Sequence, residues 1–299
     1  MQNVLNRVPL SSEAVDVRPA LLSDRPAIHR LTENAHRVHF NLDWWSFDQW
    51  LHADRPSEAI WLAFDRQELI GLLVAPDEQA PVVWLRSIAI ANGYSADPVF
   101  AALLAYVRSV LLARGVEQAA VLAHPDWVND LTHRLNFTAY NQIVTMRKGD
   151  RHMPDDRSGQ GARIRLAVPA DVPSISDNDR ASFDTVWWYS APSLEHILTT
   201  VSHFVVAEID DRVVGHAFSD VYGGQGHLIR LVVHPAYQRR GIGEQLLRES
   251  LLYQNGTGAY PFTLNTQIDN TASQALYRRY GFQISGRPVQ VMRSVMSIA

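Results

Sequence analysis

The same order of landmarks occurs twice along this chain of 299 residues. Three landmarks each occur once in either half, at nearly constant separation. The strand-like segment that begins at Val17 recurs at Ile164. Trp44-Trp45 recurs as Trp187-Trp188, and Asn136-Phe137 recurs as Gly281-Phe282. A sequence that repeats one plan at a fixed period is expected to fold as repeated structural units. The chain therefore reads as two similar domains, in agreement with its length.

The segment between the two copies is polar, rich in glycine and charge, and has no hydrophobic period. It runs from Lys148 to Gly161 and is typical of a linker. We therefore predict a first domain over residues 1–147, a linker over 148–162 and a second domain over 163–299. Within each copy, short β-rich runs alternate with amphipathic helices, which predicts an α/β (α+β) fold.

Composition excludes several classes of function. Lys and Arg total 27 against 31 Asp and Glu, a net charge of −4, so a large nucleic-acid footprint is not expected. Cysteine is absent, which excludes disulfides, zinc–thiolate sites and a cysteine nucleophile. No metal-ligand spacing is present, so no metal is predicted. No apolar stretch approaches the ~20 residues of a membrane span, and no export signal is visible. We expect a cytoplasmic protein without membrane contact.

The most informative segment is a strand that runs through a glycine-punctuated loop into a helix. Gly241 and Gly243 would let a bulky anion approach the backbone at the positive end of that helix, and Arg239 and Arg240 add charge. The loop is neither a Walker loop nor a dinucleotide fingerprint. On spacing alone, a plain strand-to-helix turn remains an alternative.

A second motif follows after one further strand, and together the two motifs are specific. Val233 to Gly243 matches V-x-P-x-x-Q/R-x-x-G-x-G, and Asn270 to Phe282 matches N-x-x-A-x-x-L-Y-x-x-x-G-F with Ser273 in place of Ala. Residues 162–299 here resemble the GCN5-related N-acetyltransferase (GNAT) family. The first copy looks like a diverged member of the same fold. The resemblance therefore implies two tandem GNAT-like domains, each a mixed central sheet flanked by helices with a splayed strand pair that forms the CoA cleft.

The resemblance implies acetyl-CoA as co-substrate, bound between the strands His227–Val233 and Phe262–Gln267. The pantetheine arm would pair with the strand backbone, the diphosphate would sit on the loop amides, and Asn270 would help to hold the arm. The implied cofactor-binding residues are Leu231, Val232, Val233, Gln238, Arg239, Arg240, Gly241, Ile242, Gly243, Glu244 and Asn270.

Direct transfer is the mechanism that the resemblance implies. A neutral amine of a small molecule or peptide would attack the thioester carbonyl, and a backbone N–H near Val232 would polarise the carbonyl oxygen. Tyr277 would protonate the departing thiolate, a role that suits a phenol with an unperturbed pKa of ~10. The absence of cysteine excludes an acetyl-cysteine intermediate.

The general base is the open part of this interpretation. Many family members carry a glutamate on the strand before the loop, whereas this chain has Leu228-Ile229-Arg230. His227 is the candidate that we carry forward; His216, Asp220 and Glu208 are alternatives, and each could equally be structural. Arg230 suggests the hypothesis of an acceptor with an acid group. Trp187, Trp188 and Tyr189 either line the acceptor pocket or pack at the domain seam.

The first copy lacks the second glycine and the arginines of the loop. Asp97 falls where phosphate would bind, and an unpaired carboxylate there would repel it. Thr132 stands five residues before Phe137, where Tyr277 stands five before Phe282. We therefore predict that residues 1–147 do not bind CoA and instead shape or cover the acceptor cleft.

Three other functions remain open from the sequence. The chain could be an acyl-CoA sensor without transferase activity, a protein-interaction scaffold, or a tandem acetyltransferase that resembles the mycothiol synthases. The acceptor, the length of the acyl chain and the oligomeric state are not set by any motif.

Overall fold

The computed structural model describes residues 14–42, 45–76, 80–155 and 161–296. Trp44, part of one repeat landmark, and residues 156–160 of the predicted linker lie outside the described residues. The chain divides into two compact units. The first unit comprises the described residues up to Tyr140 together with those from Gln290 onward, and the second unit comprises Asn141–Val289.

The first unit is built around a five-stranded antiparallel sheet of order β1-β3-β4-β6-β2. A separate strand β5 pairs in parallel with β7. Its elements are β1 (Asp16–Pro19), α1 (Arg25–Asn34), β2 (Arg37–Phe40), β3 (Ile60–Asp65), β4 (Glu68–Val74), β5 (Val82–Trp84), β6 (Ser87–Ile90), α2 (Ala96–Leu112), β7 (Gln118–Leu122), α3 (Asp126–Arg134) and the start of β8 (Thr138–Lys148).

The second unit repeats this plan with longer strands. Its sheet has the order β8-β13-β12-β11-β10-β9, and β12 and β13 are the parallel pair. Its elements are β9 (Arg163–Leu166), α4 (Val172–Ser182), α5 (Ala191–Thr200), β10 (His203–Ile209), β11 (Arg212–Tyr222), β12 (Gln225–Val233), α6 (Ile242–Gly256), β13 (Phe262–Gln267), α7 (Thr271–Arg279) and the start of β14 (Gln283–Val295).

The hydrophobic core of the second unit lies between its sheet and the helices α6 and α7. The apolar side of α6 contributes Ile242, Leu246 and Leu251, and the sheet contributes Leu228 and Phe262, all almost completely buried. Burial of such side chains is the main favourable term in folding, at about 1.5–3 kcal/mol for each one. This packing fixes the position at which α6 begins relative to the end of β12.

The internal repeat extends to irregularities of the strands. The hairpin β3–β4 changes register between Ala63 and Phe64. The hairpin β10–β11 changes register at the corresponding place, between Ala207 and Glu208. A β-bulge inserts an extra residue and increases the local twist, so its presence in both hairpins shows that the two units share backbone geometry as well as element order.

The same ion pair opens each unit. Arg18 binds Asp24 at 2.7 Å, and Arg165 binds Asp171 at 2.7 Å. In both units the carboxylate also accepts a hydrogen bond from a backbone N–H three residues earlier. The pair thus joins the first strand of each unit to the turn that starts its first helix.

The last strands of the two units are exchanged along the chain. Residues 143–148 of β8 pair with β13 in the second unit, with Met146 opposite Leu264. The end of β14 pairs with β7 in the first unit, with Met292 opposite Val121. The compact units therefore differ from the predicted domains 1–147 and 163–299 in these two segments, because strand pairing rather than chain order decides which sheet a strand completes.

No helix within the described part of the chain is both long and apolar enough to cross a bilayer. Among the same residues there is no group of three or more His, Cys, Asp or Glu side chains that could hold a metal ion.

Candidate functional site

The parallel strands β12 and β13 separate partway along their length. They pair at three positions, which end at Leu228 opposite Leu264. Beyond that point β12 continues to Val233 and β13 to Gln267 with no further pairs between them in the described residues. One backbone edge of β12 therefore faces an open cleft, as the sequence resemblance predicted.

Strand geometry decides which backbone groups of β12 face that cleft. His234 donates its N–H to the Val214 carbonyl of β11. Because N–H groups alternate between the two edges of an antiparallel strand, the N–H of Val232 also points toward β11. Those of Leu231 and Val233 point toward the cleft. A polarising amide near Val232, as the resemblance implies, would therefore belong to Leu231 or Val233.

The loop after β12 is shaped by two left-handed residues. Arg239 has φ of 64° and Gly241 has φ of 83°, and α6 begins at the next residue, Ile242. The first N–H groups of a helix have no partner within the helix, so they lie at the positive end of α6 near the end of β12. The side chain of Gln238 donates to the Val233 carbonyl at 3.0 Å and ties the loop back to the strand.

Charged side chains of this loop leave the helix N-terminus accessible to an anion. Arg239 and Arg240 are exposed, and the Arg240 guanidinium lies over the Tyr237 ring, 5.1 Å from its centroid. Glu244, the acidic residue of the first turn, is buried and paired with Arg279 at 2.5 Å. The pairing neutralises the one carboxylate in this turn that would repel a phosphate.

Gly243 lies in the first turn of α6 and faces β12 and α7. A Cβ at this position would meet side-chain atoms of Leu276 and Val233 at 3.7 Å, which is ordinary contact. The fold itself therefore does not need glycine here. A close approach of a ligand to the backbone would explain its presence.

Asn270 caps α7, because its Oδ1 accepts a hydrogen bond from the Ser273 N–H at 3.2 Å. The side-chain oxygen is thus used inside the protein, and the amide nitrogen is the part of Asn270 that can meet a pantetheine arm. Ser273, which replaces the usual alanine of the motif, keeps this cap.

Tyr277 lies on α7 and is almost completely buried. Its ring meets the ring of Phe282 edge to face, with centroids 6.1 Å apart. Burial raises the pKa of Tyr277 to about 12, although a hydrogen bond with the Ser273 side chain acts in the opposite direction. The phenol is therefore held in its protonated form, which is the form that a proton donor requires.

His227 lies on β12 just before the strands separate. Its Nδ1 is 2.8 Å from the Thr263 hydroxyl, which in turn donates to the Gly226 carbonyl at 3.2 Å. This chain of hydrogen bonds makes Nδ1 the protonated nitrogen and leaves the Nε2 lone pair available. Burial lowers the pKa of His227, so the ring is neutral at neutral pH.

The other three candidate bases lie in different surroundings. Asp220 is the cross-strand neighbour of His227, so these two lie together. Glu208 lies on β10, two strands away from β12, and binds Arg165 at 2.8 Å. His216 is fully buried, and burial lowers its pKa.

Arg230 does not present a free positive charge to an acceptor. It forms two hydrogen bonds with Asp179, at 2.9 and 2.5 Å, and Asp179 is fully buried. The hypothesis that Arg230 binds an acid group of the acceptor is thus not supported by this arrangement. Sequence reasoning missed Asp179, because nothing in its own surroundings in the sequence connects it with Arg230.

The first unit has the matching elements but different side chains at the corresponding places. Asp97, at the start of α2, is bound by Arg134 of α3 at 2.8 Å. The expectation of an unpaired carboxylate there was therefore wrong. The ion pair instead covers the helix end with groups of the protein. Thr132 donates its hydroxyl to the Val128 carbonyl at 2.9 Å, so this position holds no proton donor of the Tyr277 kind.

Comparison with known proteins agrees with this geometry. The acetyltransferase (GNAT) family matches residues 172–282. The N-alpha-acetyltransferase RimI of Mycobacterium tuberculosis is 36% identical over 103 residues, which cover 33% of this chain and 63% of that protein. A mycothiol acetyltransferase of an Arthrobacter species is 22% identical over 235 residues, covering 72% of each chain.

Similarity of fold extends over nearly the whole chain. A tandem GNAT protein from the clavulanic acid biosynthesis pathway superposes with a TM-score of 0.61 at 12% identity, and the match covers 95% of this chain and 99% of that one. The cleft between β12 and β13, the loop before α6 and the helix α7 all lie within residues 172–282, which match the family. The chain thus carries an acyltransferase domain of the GNAT family, whose members use acetyl-CoA, within a tandem GNAT fold.

Proposed function

We propose that this protein is an acetyl-CoA-dependent N-acetyltransferase that transfers the acetyl group directly to an amine of a small molecule or peptide. The catalytic unit is the second one. A single arrangement carries the proposal: β12 and β13 separate after Leu228 and Leu264, with the N-terminus of α6 following one strand and Tyr277 on the helix that follows the other.

The binding of acetyl-CoA follows from this arrangement. The cleft-facing backbone groups of Leu231 and Val233 would pair with the amide groups of the pantetheine arm, as an added strand would. The diphosphate would lie on the amides from Arg239 to Glu244, where the N-terminus of α6 and its helix dipole favour an anion. Asn270 would contact the arm from the other side of the cleft.

The transfer itself needs one proton acceptor and one proton donor. The amine attacks the thioester carbonyl, and the N–H groups of Leu231 or Val233 stabilise the oxyanion. The bond to sulfur then breaks, and Tyr277 gives its proton to the thiolate. The ammonium nitrogen of the tetrahedral intermediate gives its proton to His227 Nε2, directly or through water, as the intermediate collapses to the amide.

The first unit takes no part in this chemistry. Asp97 is engaged by Arg134 at the helix end where a diphosphate would bind, and Thr132 replaces the tyrosine. We propose that this unit does not bind CoA.

The names of the relatives suggest two acceptor classes. RimI is an N-alpha-acetyltransferase, which favours an α-amine as the acceptor. A mycothiol-type acceptor is the second candidate, because the match with the mycothiol acetyltransferase spans both units of this chain.

Calorimetric titration with acetyl-CoA, followed by measurement of CoA release with a panel of amines, tests the proposal. We expect one binding site per chain, a rise in melting temperature with ligand, and CoA release that depends on the amine. Failure to bind would favour an interaction scaffold, and binding without release would favour a sensor. Two sites per chain would contradict the role given to the first unit.

A further inference from the structure

A buried ion pair lies where β12 leaves β13. Asp179 of α4 is fully buried and the Arg230 side chain is only 9% exposed. The guanidinium meets the carboxylate through two atoms, with Nε 2.9 Å from Oδ1 and Nη2 2.5 Å from Oδ2. A buried pair of this kind persists only when its hydrogen bonds are well satisfied, so the two side chains hold fixed positions.

A bulge in β12 puts Arg230 where Asp179 can reach it. The register between β11 and β12 shifts so that Ile229 is the extra residue. Leu228 packs in the core under α6, and regular alternation would point Arg230 to the same face. Because of the extra residue, Arg230 points to the opposite face of the sheet, where it meets α4.

The pair fastens a short segment between α4 and α5. Residues 183–190, the aromatic segment, contact the pair in four ways. These are the hydrogen bonds from Arg230 Nη2 to the Trp187 carbonyl (2.9 Å) and from the Tyr189 N–H to Asp179 Oδ2 (2.6 Å), and the guanidinium over the rings of Phe183 (3.7 Å to the centroid) and Tyr189 (4.6 Å).

The aromatic segment is held on the same face of the sheet as Arg230, beside the open stretch of β12. Trp187, Trp188 and Tyr189 are neither buried nor fully exposed, so they retain accessible aromatic surface. Pockets for small molecules are lined mainly by such side chains with a few fixed polar groups. The charges of Asp179 and Arg230 cancel, so the face offers little attraction to an acid group.

On the basis of the proposed function, we propose that the aromatic segment is a wall of the acceptor site and that Asp179, acting through Arg230, is a positioning residue for it. The acceptor is an amine that carries an aromatic or apolar group. Arg230 stands on the strand where many family members carry a glutamate, and its ion pair with Asp179 orders the pocket.

Steady-state kinetics with acetyl-CoA and three amines tests the acceptor class. The amines are 2-phenylethylamine, ethylamine and β-alanine, which offer an aromatic ring, a short alkyl group and a carboxylate. We expect kcat/KM to be about tenfold or more higher for 2-phenylethylamine than for either of the others, since ring burial adds binding energy. A preference for ethylamine or β-alanine would overturn the acceptor class.

Asp179→Asn tests the positioning role. We expect KM for 2-phenylethylamine to rise about tenfold, because misplaced pocket residues lose binding, while KM for acetyl-CoA changes by less than about threefold. Asp177→Asn is the matched control, as Asp177 is an exposed residue of the same helix; neither KM should change. An acceptor KM that is unaltered in folded Asp179→Asn would overturn the proposal.

Asp179→Asn leaves a buried arginine without its partner and can fail to fold. The double variant Asp179→Leu/Arg230→Met removes both charges together and keeps the volume filled, so it should unfold at a higher temperature than Asp179→Asn. Its acceptor KM should still be raised, because the segment has lost its fastening. If this variant has the acceptor KM of the wild type, the Asp179–Arg230 pair has a purely structural role and the proposal is overturned. Absence of CoA release from the wild-type protein with every amine would instead refute the proposed function.

Discussion

Thr132 and Tyr277 occupy the same place in the same helical turn of the two units. Each accepts, through its carbonyl, a hydrogen bond from the N–H of a phenylalanine five residues later, Phe137 in one case and Phe282 in the other, both at 3.0 Å. The Thr132 hydroxyl turns back to its own helix, at the Val128 carbonyl. Both units therefore share the turn and the phenylalanine, but only the second unit has a tyrosine at this position.

The phenol of Tyr277 is expected to act as the proton donor. Tyr277→Phe should lower kcat about 100-fold, which is the usual range for loss of a general acid, with little change in affinity for acetyl-CoA. The pKa of about 12 means that the phenol stays protonated through the neutral and mildly alkaline range. Hence the pH profile of the wild type should show no decline from this group there.

Stopped-assay rates of CoA release from pH 6 to pH 9 measure this effect. Tyr253→Phe, the same change on α6, is the control and should leave the rate unaltered. A Tyr277→Phe variant with wild-type kcat would remove Tyr277 from the mechanism.

The two glycines of the loop should respond differently to alanine. Gly241 has φ of 83°, so Gly241→Ala should lower the free energy of unfolding by about 1–2 kcal/mol, the cost of a left-handed conformation. Gly243 is helical and has room for a Cβ, so Gly243→Ala should raise the free energy of unfolding by about 0.5–1 kcal/mol. It should nevertheless weaken acetyl-CoA binding, because a methyl group would lie between backbone and diphosphate.

Urea unfolding and calorimetric titration of both variants separate stability from binding. Gly243→Ala with the wild-type dissociation constant would mean that the diphosphate does not approach this residue.

The strand exchange predicts where the chain can be cut. A fragment of residues 163–299 lacks the β8 strand opposite Phe262 to Gln267 and retains the end of β14 without β7. Unpaired strand edges of this kind promote aggregation. A fragment of residues 141–289 keeps the strands that the second unit uses.

We expect the shorter fragment, 163–299, to be less soluble and to lack cooperative thermal unfolding, whereas 141–289 should unfold in one transition. Circular dichroism and size-exclusion chromatography compare them. Equal behaviour of the two fragments would show that β8 contributes little to the second unit.

His203 should make stability depend on pH. It is almost completely buried, stacked on Tyr253 with centroids 4.1 Å apart, and burial lowers its pKa. The unfolded chain then binds a proton more readily, near the ordinary value of ~6.5. Stability contributed by the neutral ring is therefore present above that pH and declines as the pH falls through it.

His203→Phe keeps an aromatic ring in this place and cannot be protonated. We expect its free energy of unfolding to decline less than that of the wild type between pH 7.5 and pH 5.5, as measured by urea titration. His133→Asn, at an exposed position, is the control. The buried carboxylates with lowered pKa, such as Asp171, act in a separate window at lower pH. Parallel declines for wild type and His203→Phe would exclude His203 as the source.

Much of the candidate site follows from local sequence. The glycine loop and the Asn270–Phe282 motif each lie within about a dozen consecutive residues, and local hydrogen bonds and left-handed glycines dictate their shape. The absence of a matching tyrosine near Phe137 could be found by counting residues, because both copies use the same helical turn.

Other parts depend on pairs of residues that are far apart in the chain. Asp97 was expected to be an unpaired carboxylate, but Arg134 of the next helix binds it. Arg230 suggests an acceptor with an acid group when the sequence is considered alone, but Asp179 neutralises it. An ion pair forms only when the fold brings two side chains within a few ångströms, and no period or motif marks such a pair.

The sequence by itself determined the double plan and the family of the second copy, since these depend on residue types at fixed spacings. Tertiary structure alone decided that the units exchange their last strands, that a bulge turns Arg230 toward Asp179, and which amides of β12 face the cleft. These features depend on strand register, and register is set when whole sheets pack and pair rather than by any short stretch of residues.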